Sequence, residues 1–201
     1  MIHELETSQW NLGEPIAGID EAGRGPLAGP CVVACVILPL NYAHPVINDS
    51  KQLSEKQREA CYLDILRDAI HIGVIAVSEE TIDRDNIYQA TKNAMIRLAN
   101  NAPASLILSD AMPFSIEGKE IVDLIKGDAI SLSIAAASIV AKVTRDRVMV
   151  GYDLFYPGYG FSQHKGYPTP AHLEAIRTPG ILPIHRQSYA PIREMNQLRL
   201  F

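Results

Sequence analysis

Asp20 and Glu21 stand side by side at the end of an apolar run, and the chain then continues Ala22-Gly23-Arg24-Gly25-Pro26-Leu27-Ala28-Gly29-Pro30. A buried strand has no use for two adjacent carboxylates, because burying unpaired charge is costly. Carboxylates beside bare, flexible backbone suit a place where acids hold cations and the main chain approaches a ligand closely. The competing reading is a strand leading into a solvated loop, with Gly23 and Gly25 serving only to permit positive φ. Two more acids follow apolar stretches or turns: Asp110 closes Leu106-Ile107-Leu108-Ser109, and Asp128 sits in Lys126-Gly127-Asp128. Phosphodiester hydrolysis with two cations ~3.5–4 Å apart needs such carboxylates to converge. Magnesium-like cations take oxygen ligands and keep several waters, so a few acids plus a substrate phosphate suffice. Asp20 and Glu21 can converge only if their strand is already ending, since strand neighbours point to opposite faces. On residue type alone, Asp110 and Asp128 read equally well as turn residues. Asp146 reads as a helix-surface acid paired with a neighbouring arginine.

Such side chains need strand ends that gather them at one sheet edge. Residues 16–20 and 31–38 are predicted strands joined by the glycine-rich run. The second is apolar almost throughout, so it is expected to be buried on both faces. Ser54 with Gln57 three positions on starts a helix, whose apolar positions are read as Ala60, Leu63, Leu66 and Ile70. A strand over 72–77 follows, then a short acidic helix capped by Ser78 and a longer helix over 87–99. Short strands are predicted at 105–109 and 121–125. Residues 133–149 form a strongly helical stretch, and Ile134-Ala135-Ala136-Ala137 lets it lie close to a sheet. A loop over 156–170 precedes short helices at 170–176 and 189–195. Strands alternating with helices indicate an α/β fold.

The 201 residues suit one domain with a full core. The longest apolar stretch, 31–38, is far shorter than the ~20 residues a membrane span takes. With no signal segment at the start, the cytoplasm is the expected compartment. Cys31, Cys35 and Cys61 are too few and too irregularly placed for a disulfide framework or a zinc site, so buried free thiols are expected. The net charge of −5 does not by itself suggest nucleic acid. Basic residues do cluster locally, at Lys51/Lys56/Arg58, Lys142/Arg145/Arg147 and His164/Lys165.

The run from Gly18 to Pro30, taken whole, resembles the N-terminal signature of ribonuclease HII, the type 2 ribonuclease H family, down to Gly23-Arg24-Gly25. The resemblance implies a ribonuclease H-like fold: a central mixed β-sheet flanked by helices, with a small C-terminal helical extension over about 150–195 that contributes to substrate binding. It selects Asp20, Glu21, Asp110 and Asp128 as the catalytic set, holding two Mg²⁺ or Mn²⁺ ions. Asp110-Ala111 departs mildly from the Asp-Gly common in the family and leaves the carboxylate intact. The resemblance further implies that the Gly23-Arg24-Gly25 backbone reads the 2′-hydroxyl, the group that separates RNA from DNA. Tyr167, in His164-Lys165-Gly166-Tyr167, would stack on the neighbouring deoxyribose. Lys51, in Asp49-Ser50-Lys51-Gln52-Leu53, would contact a phosphate, with Lys142, Arg145 and His164 adding further contacts. Tyr152, Tyr156 and Tyr159 are expected to pack. His185-Arg186-Gln187-Ser188-Tyr189-Ala190-Pro191 resembles the family's C-terminal signature, without an assigned chemistry. The implied enzyme is an endonuclease that hydrolyses the RNA of RNA–DNA hybrids. It also nicks 5′ of single ribonucleotides in duplex DNA, leaving 3′-hydroxyl and 5′-phosphate ends, and acts as a monomer.

The chain ends Gln197-Leu198-Arg199-Leu200-Phe201, which looks like the short peptide that docks bacterial proteins on the DNA sliding clamp. A free tail would extend and place Leu198, Leu200 and Phe201 in an apolar groove while Gln197 fixes register. Three rivals remain. A type 3 ribonuclease H usually carries an extra N-terminal domain, for which the fifteen residues before Ile16 leave no room. A non-catalytic, clamp-associated duplex binder would gain by losing acids that face phosphates. A P-loop protein would need a Gly-Lys-Ser/Thr that is missing after Gly25.

Overall fold

The glycine-rich run joins two strands of opposite direction at the centre of a five-stranded sheet. The computed structural model describes residues 4–48 and 50–198. Helix α1 (Glu4–Asn11) leads into β1 (Ile16–Ala22) and β2 (Cys31–Ile37), which pair antiparallel. Helix α2 (Glu55–Asp68) precedes β3 (His71–Val77), antiparallel to β2. Helices α3 (Glu79–Asp85) and α4 (Ile87–Asn101) then lead to β4 (Leu106–Asp110) and β5 (Glu120–Leu124). β4 runs parallel to β1 and to β5, so the sheet is mixed, in the order β3-β2-β1-β4-β5. A 3-10 turn (Gly127–Ala129) enters the long helix α5 (Leu132–Phe155), followed by α6 (Phe161–His164), α7 (Pro170–Arg177) and α8 (Ala190–Leu198).

Every residue of β2 is buried, because both faces of the sheet are covered. Val32, Ala34 and Val36 pack under α5 and α2, against Ala135, Ile139, Val140, Cys61 and Ile65. Cys31, Val33, Cys35 and Ile37 point the other way, onto Ala90, Met95 and Leu98 of α4 and Ile82 of α3. This alternation follows from the two-residue period of a strand. All three cysteines are free and buried.

The run of small residues lets α5 lie on the sheet. A Cβ on Gly18 would collide with the backbone of Ser133 and Ile134, so only glycine admits the helix this close to β1. The start of α5 is held from two sides. Ser131 caps it by accepting from Ile134 N, and the buried Glu6 of α1 accepts from Ser131 Oγ (3.0 Å), Ser133 N (2.8 Å) and Leu132 N (3.2 Å). A carboxylate at this end also complements the helix dipole.

The elements differ from the sequence expectation in four places. Helix α2 has the predicted Ser54/Gln57 capping box, but its inward residues are Cys61 and Ile65. Leu63, Leu66 and Ile70 are exposed, because apolar residues occur on both faces and the wrong stripe was the more regular one. Helix α1 was not anticipated: in Glu4–Asn11 only Glu6 and Trp10 are buried, which leaves no periodic apolar signal. The loop over 156–170 contains α6. Helix α8 runs through Leu198, so Gln197 and Leu198 belong to a helix rather than an extended tail. Arg199, Leu200 and Phe201 lie outside the described residues, as does Asp49.

Candidate active site

β1 and β4 are parallel neighbours with Ile19 opposite Ser109, which brings Asp20 and Asp110 together one step further on. Asp110 Oδ1 accepts from Gly127 N at 2.8 Å and so ties down the turn that carries Asp128. The result is a cluster in which carboxylate oxygens of Asp20, Asp110 and Asp128 lie within 4.8 Å of one another. Three chain segments far apart in sequence thus meet at the C-terminal edge of the two parallel strands. Ser138 of α5 hydrogen-bonds to Asp20, and Ser50 Oγ lies 2.9 Å from Ser138 Oγ.

Glu21 stands beside this group rather than within it. β1 does not end at Asp20 but continues through Ala22, and Glu21 is not among the acids whose oxygens lie within 4.8 Å of one another. Glu21 lines the same cleft and lies 3.4 Å from Arg24 Nη1. Its Oε2 is buried and has no hydrogen-bond partner among the described residues.

The electrostatics are those of acids buried beside one another. Burial, then the Glu21 charge and that of Asp110, push the Asp20 carboxyl well above the ordinary carboxylate range. Burial raises Glu21 as well, against the opposing pull of Arg24. Lys51 Nζ, on a well-exposed side chain, reaches Asp128 Oδ2 at 3.3 Å.

The cleft of about 240 Å³ is lined by Asp20, Glu21, Asp110, Lys51, Lys142 and Tyr167, together with the Gly23-Arg24-Gly25 backbone. Tyr167 is half-exposed and faces the loop: a Cβ on Gly25 would come to 3.8 Å from its ring. Lys142 is paired with Asp146 at 2.7 Å, so the partner of Asp146 is a lysine four residues back rather than an arginine. His164 does not line the cleft. Its Nε2 lies 2.8 Å from Tyr159 O, its Nδ1 accepts from Gly166 N, and its ring stacks on His172 at 4.4 Å. Arg145 is buried and donates to backbone carbonyls of Pro30, Ala28 and Lys165. Gln197 lies in α8, and Leu200 and Phe201 fall outside the described residues.

Comparison with known proteins gives these residues a family. The family model described as Ribonuclease HII matches residues 17–192. This chain belongs to the ribonuclease HII family. A curated ribonuclease HII from Listeria monocytogenes is 53% identical over 194 residues, covering 95% of this chain and 74% of the relative. Among solved structures, the ribonuclease H2 of Pyrococcus horikoshii superposes with a TM-score of 0.79 at 25% identity, covering 92% of this chain and 98% of that one. The Archaeoglobus fulgidus structure titled a PCNA:RNase HII complex gives 0.75 at 27% identity, over 88% and 95% of the two chains. Membership makes this chain a metal-dependent ribonuclease H, an endonuclease acting on RNA–DNA substrates.

The residues present fit the metal that a ribonuclease HII requires. The donors are carboxylate oxygens, the ligands that hard divalent cations prefer. Burial, then the neighbouring acids, raises the Asp20 carboxyl, and the buried Glu21 Oε2 is an acceptor without a donor among the described residues. A cation among them removes both penalties at once.

Two site-supporting residues escaped sequence reasoning. Arg186 is fully buried beneath the loop and donates to the carbonyls of Gly23, Arg24 and Gly29. Tyr189 Oη donates to Arg24 O. The only signal was their place in the C-terminal signature. Strand-like contacts complete the support, with Leu27 N donating to Gly166 O and Arg186 N to Leu27 O.

Proposed function

We propose that this enzyme cuts duplex DNA on the 5′ side of a single embedded ribonucleotide, as well as the RNA strand of hybrids, leaving 3′-hydroxyl and 5′-phosphate ends. The observation that carries this reading is one cleft holding both parts of the task. The acids sit at one side, and the Gly23-Arg24-Gly25 backbone faces Tyr167 at the other. Two Mg²⁺ or Mn²⁺ ions bound by Asp20, Glu21, Asp110 and Asp128 would activate the attacking water and stabilise the leaving oxygen. Asp110 also fixes Asp128 through Gly127 N, and Ser138 steadies Asp20. Bare backbone at Gly23 and Gly25 lets the sugar edge come close enough for its 2′-hydroxyl to be read. The exposed face of Tyr167 meets the adjoining deoxyribose. Lys51 and Lys142 receive flanking phosphates as point charges. His164 is assigned no phosphate contact, since backbone groups engage both ring nitrogens.

Residues of about 150–195 form the extension that supports the bound duplex, in a single catalytic domain that acts as a cytoplasmic monomer in ribonucleotide removal. The archaeal relative solved with PCNA favours a second partner, the bacterial sliding clamp, reached through Gln197-Leu198-Arg199-Leu200-Phe201. Clamp pull-down should fail when residues 197–201 are deleted; equal capture of both forms would sink that partner.

The cutting reaction is tested with a DNA duplex carrying one ribonucleotide, with product ends mapped on a sequencing gel. Nicking 5′ of the ribonucleotide in Mg²⁺ or Mn²⁺, and none in EDTA, is expected. Cleavage on the 3′ side, or of hybrids alone, would overturn the proposal.

A further inference from the structure

We propose that Arg186, seconded by Tyr189, is the positioning residue that turns the Gly23–Gly25 peptides toward the substrate and thereby sets the preference for ribose. The inference rests on reading that loop as the 2′-hydroxyl site. All five N–H donors of the buried guanidinium are engaged. Nε and Nη2 donate to Gly29 O at 3.0 and 2.8 Å, and Nη2 also donates to Gly23 O at 2.6 Å. Nη1 donates to Arg24 O and to Tyr189 Oη, each at 2.9 Å. Tyr189 Oη in turn donates to Arg24 O at 2.5 Å.

The orientation of the loop follows from peptide geometry. In a trans peptide the C=O of one residue and the N–H of the next point in opposite directions, and no cis bonds occur among the described residues. Drawing the carbonyls of Gly23 and Arg24 inward onto Arg186 therefore directs the N–H groups of Arg24 and Gly25 away from it. That side carries the cleft, which Gly23, Arg24 and Gly25 all line. Neither N–H has a hydrogen-bond partner among the described residues. Successive main-chain donors facing one way form a concavity suited to an acceptor oxygen. Arg145 closes the far side: a Cβ on Gly23, whose φ is +97°, would run into its side chain.

Arginine is the residue this task needs. Its planar fork spans three separate carbonyls, whereas the three donors of lysine leave from a single point. The sequence separation is 157 to 163 residues, so the C-terminal segment acts on an N-terminal loop.

The test compares two DNA duplexes identical except for one ribonucleotide. Dissociation constants are measured in Ca²⁺, with a gel confirming that the duplex stays uncut. The readout is their ratio. Loss of one hydrogen bond to Arg24 O in Tyr189→Phe should lower the wild-type preference by about threefold to tenfold. Arg186→Lys and Arg186→Gln should abolish most of it, while affinity for the all-DNA duplex stays within about twofold, because phosphate contacts supply that term. General loss of packing would weaken both duplexes alike, and a thermal melt of each variant shows whether it folds. Should the Arg186 variants not fold, Tyr189→Phe decides alone, because its ring and core contacts remain. An unchanged ratio in the folded variants, or equal weakening of both duplexes, overturns the inference. A wild-type protein with no preference would overturn the 2′-hydroxyl reading itself, and this inference with it.

Discussion

The acidic cleft and the arginine cage beneath the loop face the same electrostatic problem and solve it in opposite ways. Each buries like charges side by side. In the cage, Arg186 directs its donors onto the carbonyls of Gly23, Arg24 and Gly29 and onto Tyr189 Oη, and Arg145 directs Nε and Nη2 onto those of Ala28, Pro30 and Lys165, leaving only its Nη1 without a partner among the described residues. Burial and the Arg186 charge bring Arg145 down to about 10, so it remains protonated at neutral pH. In the cleft the chain supplies too few donors: Asp20 is held well above its ordinary value and Glu21 Oε2 has no partner among the described residues. Positive charge shared out among main-chain carbonyls builds a scaffold, and acidic charge left in excess marks where a cation belongs.

The largest expected effects come from breaking the cleft side of this contrast. Asp20→Asn and Asp128→Asn should each lower cleavage by roughly 10³-fold or more, since the charge that stabilises the transition state goes with the ligand. Metal-free Asp20→Asn should nonetheless melt above the wild type, because a repelling buried carboxylate is gone. Asp146→Asn, which breaks only the pair with Lys142, should keep its cleavage.

Breaking the cage should cost stability instead. Arg145→Met leaves three carbonyls unpaired, two of them buried, and should lower the unfolding free energy by about 3 kcal/mol in denaturant titrations. Glu6→Ala removes the acceptor for three groups at the start of α5 and should cost about 1–3 kcal/mol. A melt unchanged by either substitution would remove the distinction between scaffold and site.

Acid should act on the histidine pair packed beside the cage. His172 and His185 lie with Nε2 atoms 3.1 Å apart, and burial pulls both down to about 4. Their unfolded forms take up protons near pH 6.5. The stability they contribute is therefore complete above that pH and falls as the pH drops toward 4. Thermal melts from pH 7 to 4 should decline over this window, and His172→Gln should flatten the decline. The smallest effects are expected at the rim. Lys51→Ala or Lys142→Ala should weaken duplex binding severalfold at low salt, with less loss as salt rises.

How much of this was legible in the sequence depended on where each residue's partners lie. The acids and the glycine loop could be picked out because their spacing matches a long signature, and β2 because an unbroken apolar run has to be covered on both faces. The early end of β1 was misjudged, since nothing local says that the strand continues through Ala22, although Glu21 still reaches the cleft that Asp20 lines. Helix α2 was phased onto Leu63 and Leu66 because its exposed apolar stripe outcompetes Cys61 and Ile65 in the pattern. Arg186 was illegible for another reason: its partners are main-chain carbonyls far away in sequence, and carbonyls have no residue type to read. His164 looked like a phosphate ligand beside Lys165, but its ring packs against His172 and Phe161.

Calorimetric titration with Mn²⁺ addresses the cleft directly. The wild-type chain should bind Mn²⁺ and melt at a higher temperature with it. Asp20→Asn and Asp128→Asn should remain folded yet bind at least about tenfold more weakly, since each removes a charged oxygen ligand. Equal Mn²⁺ affinity in Asp128→Asn and the wild type, with the loss appearing in Asp146→Asn instead, would contradict the account.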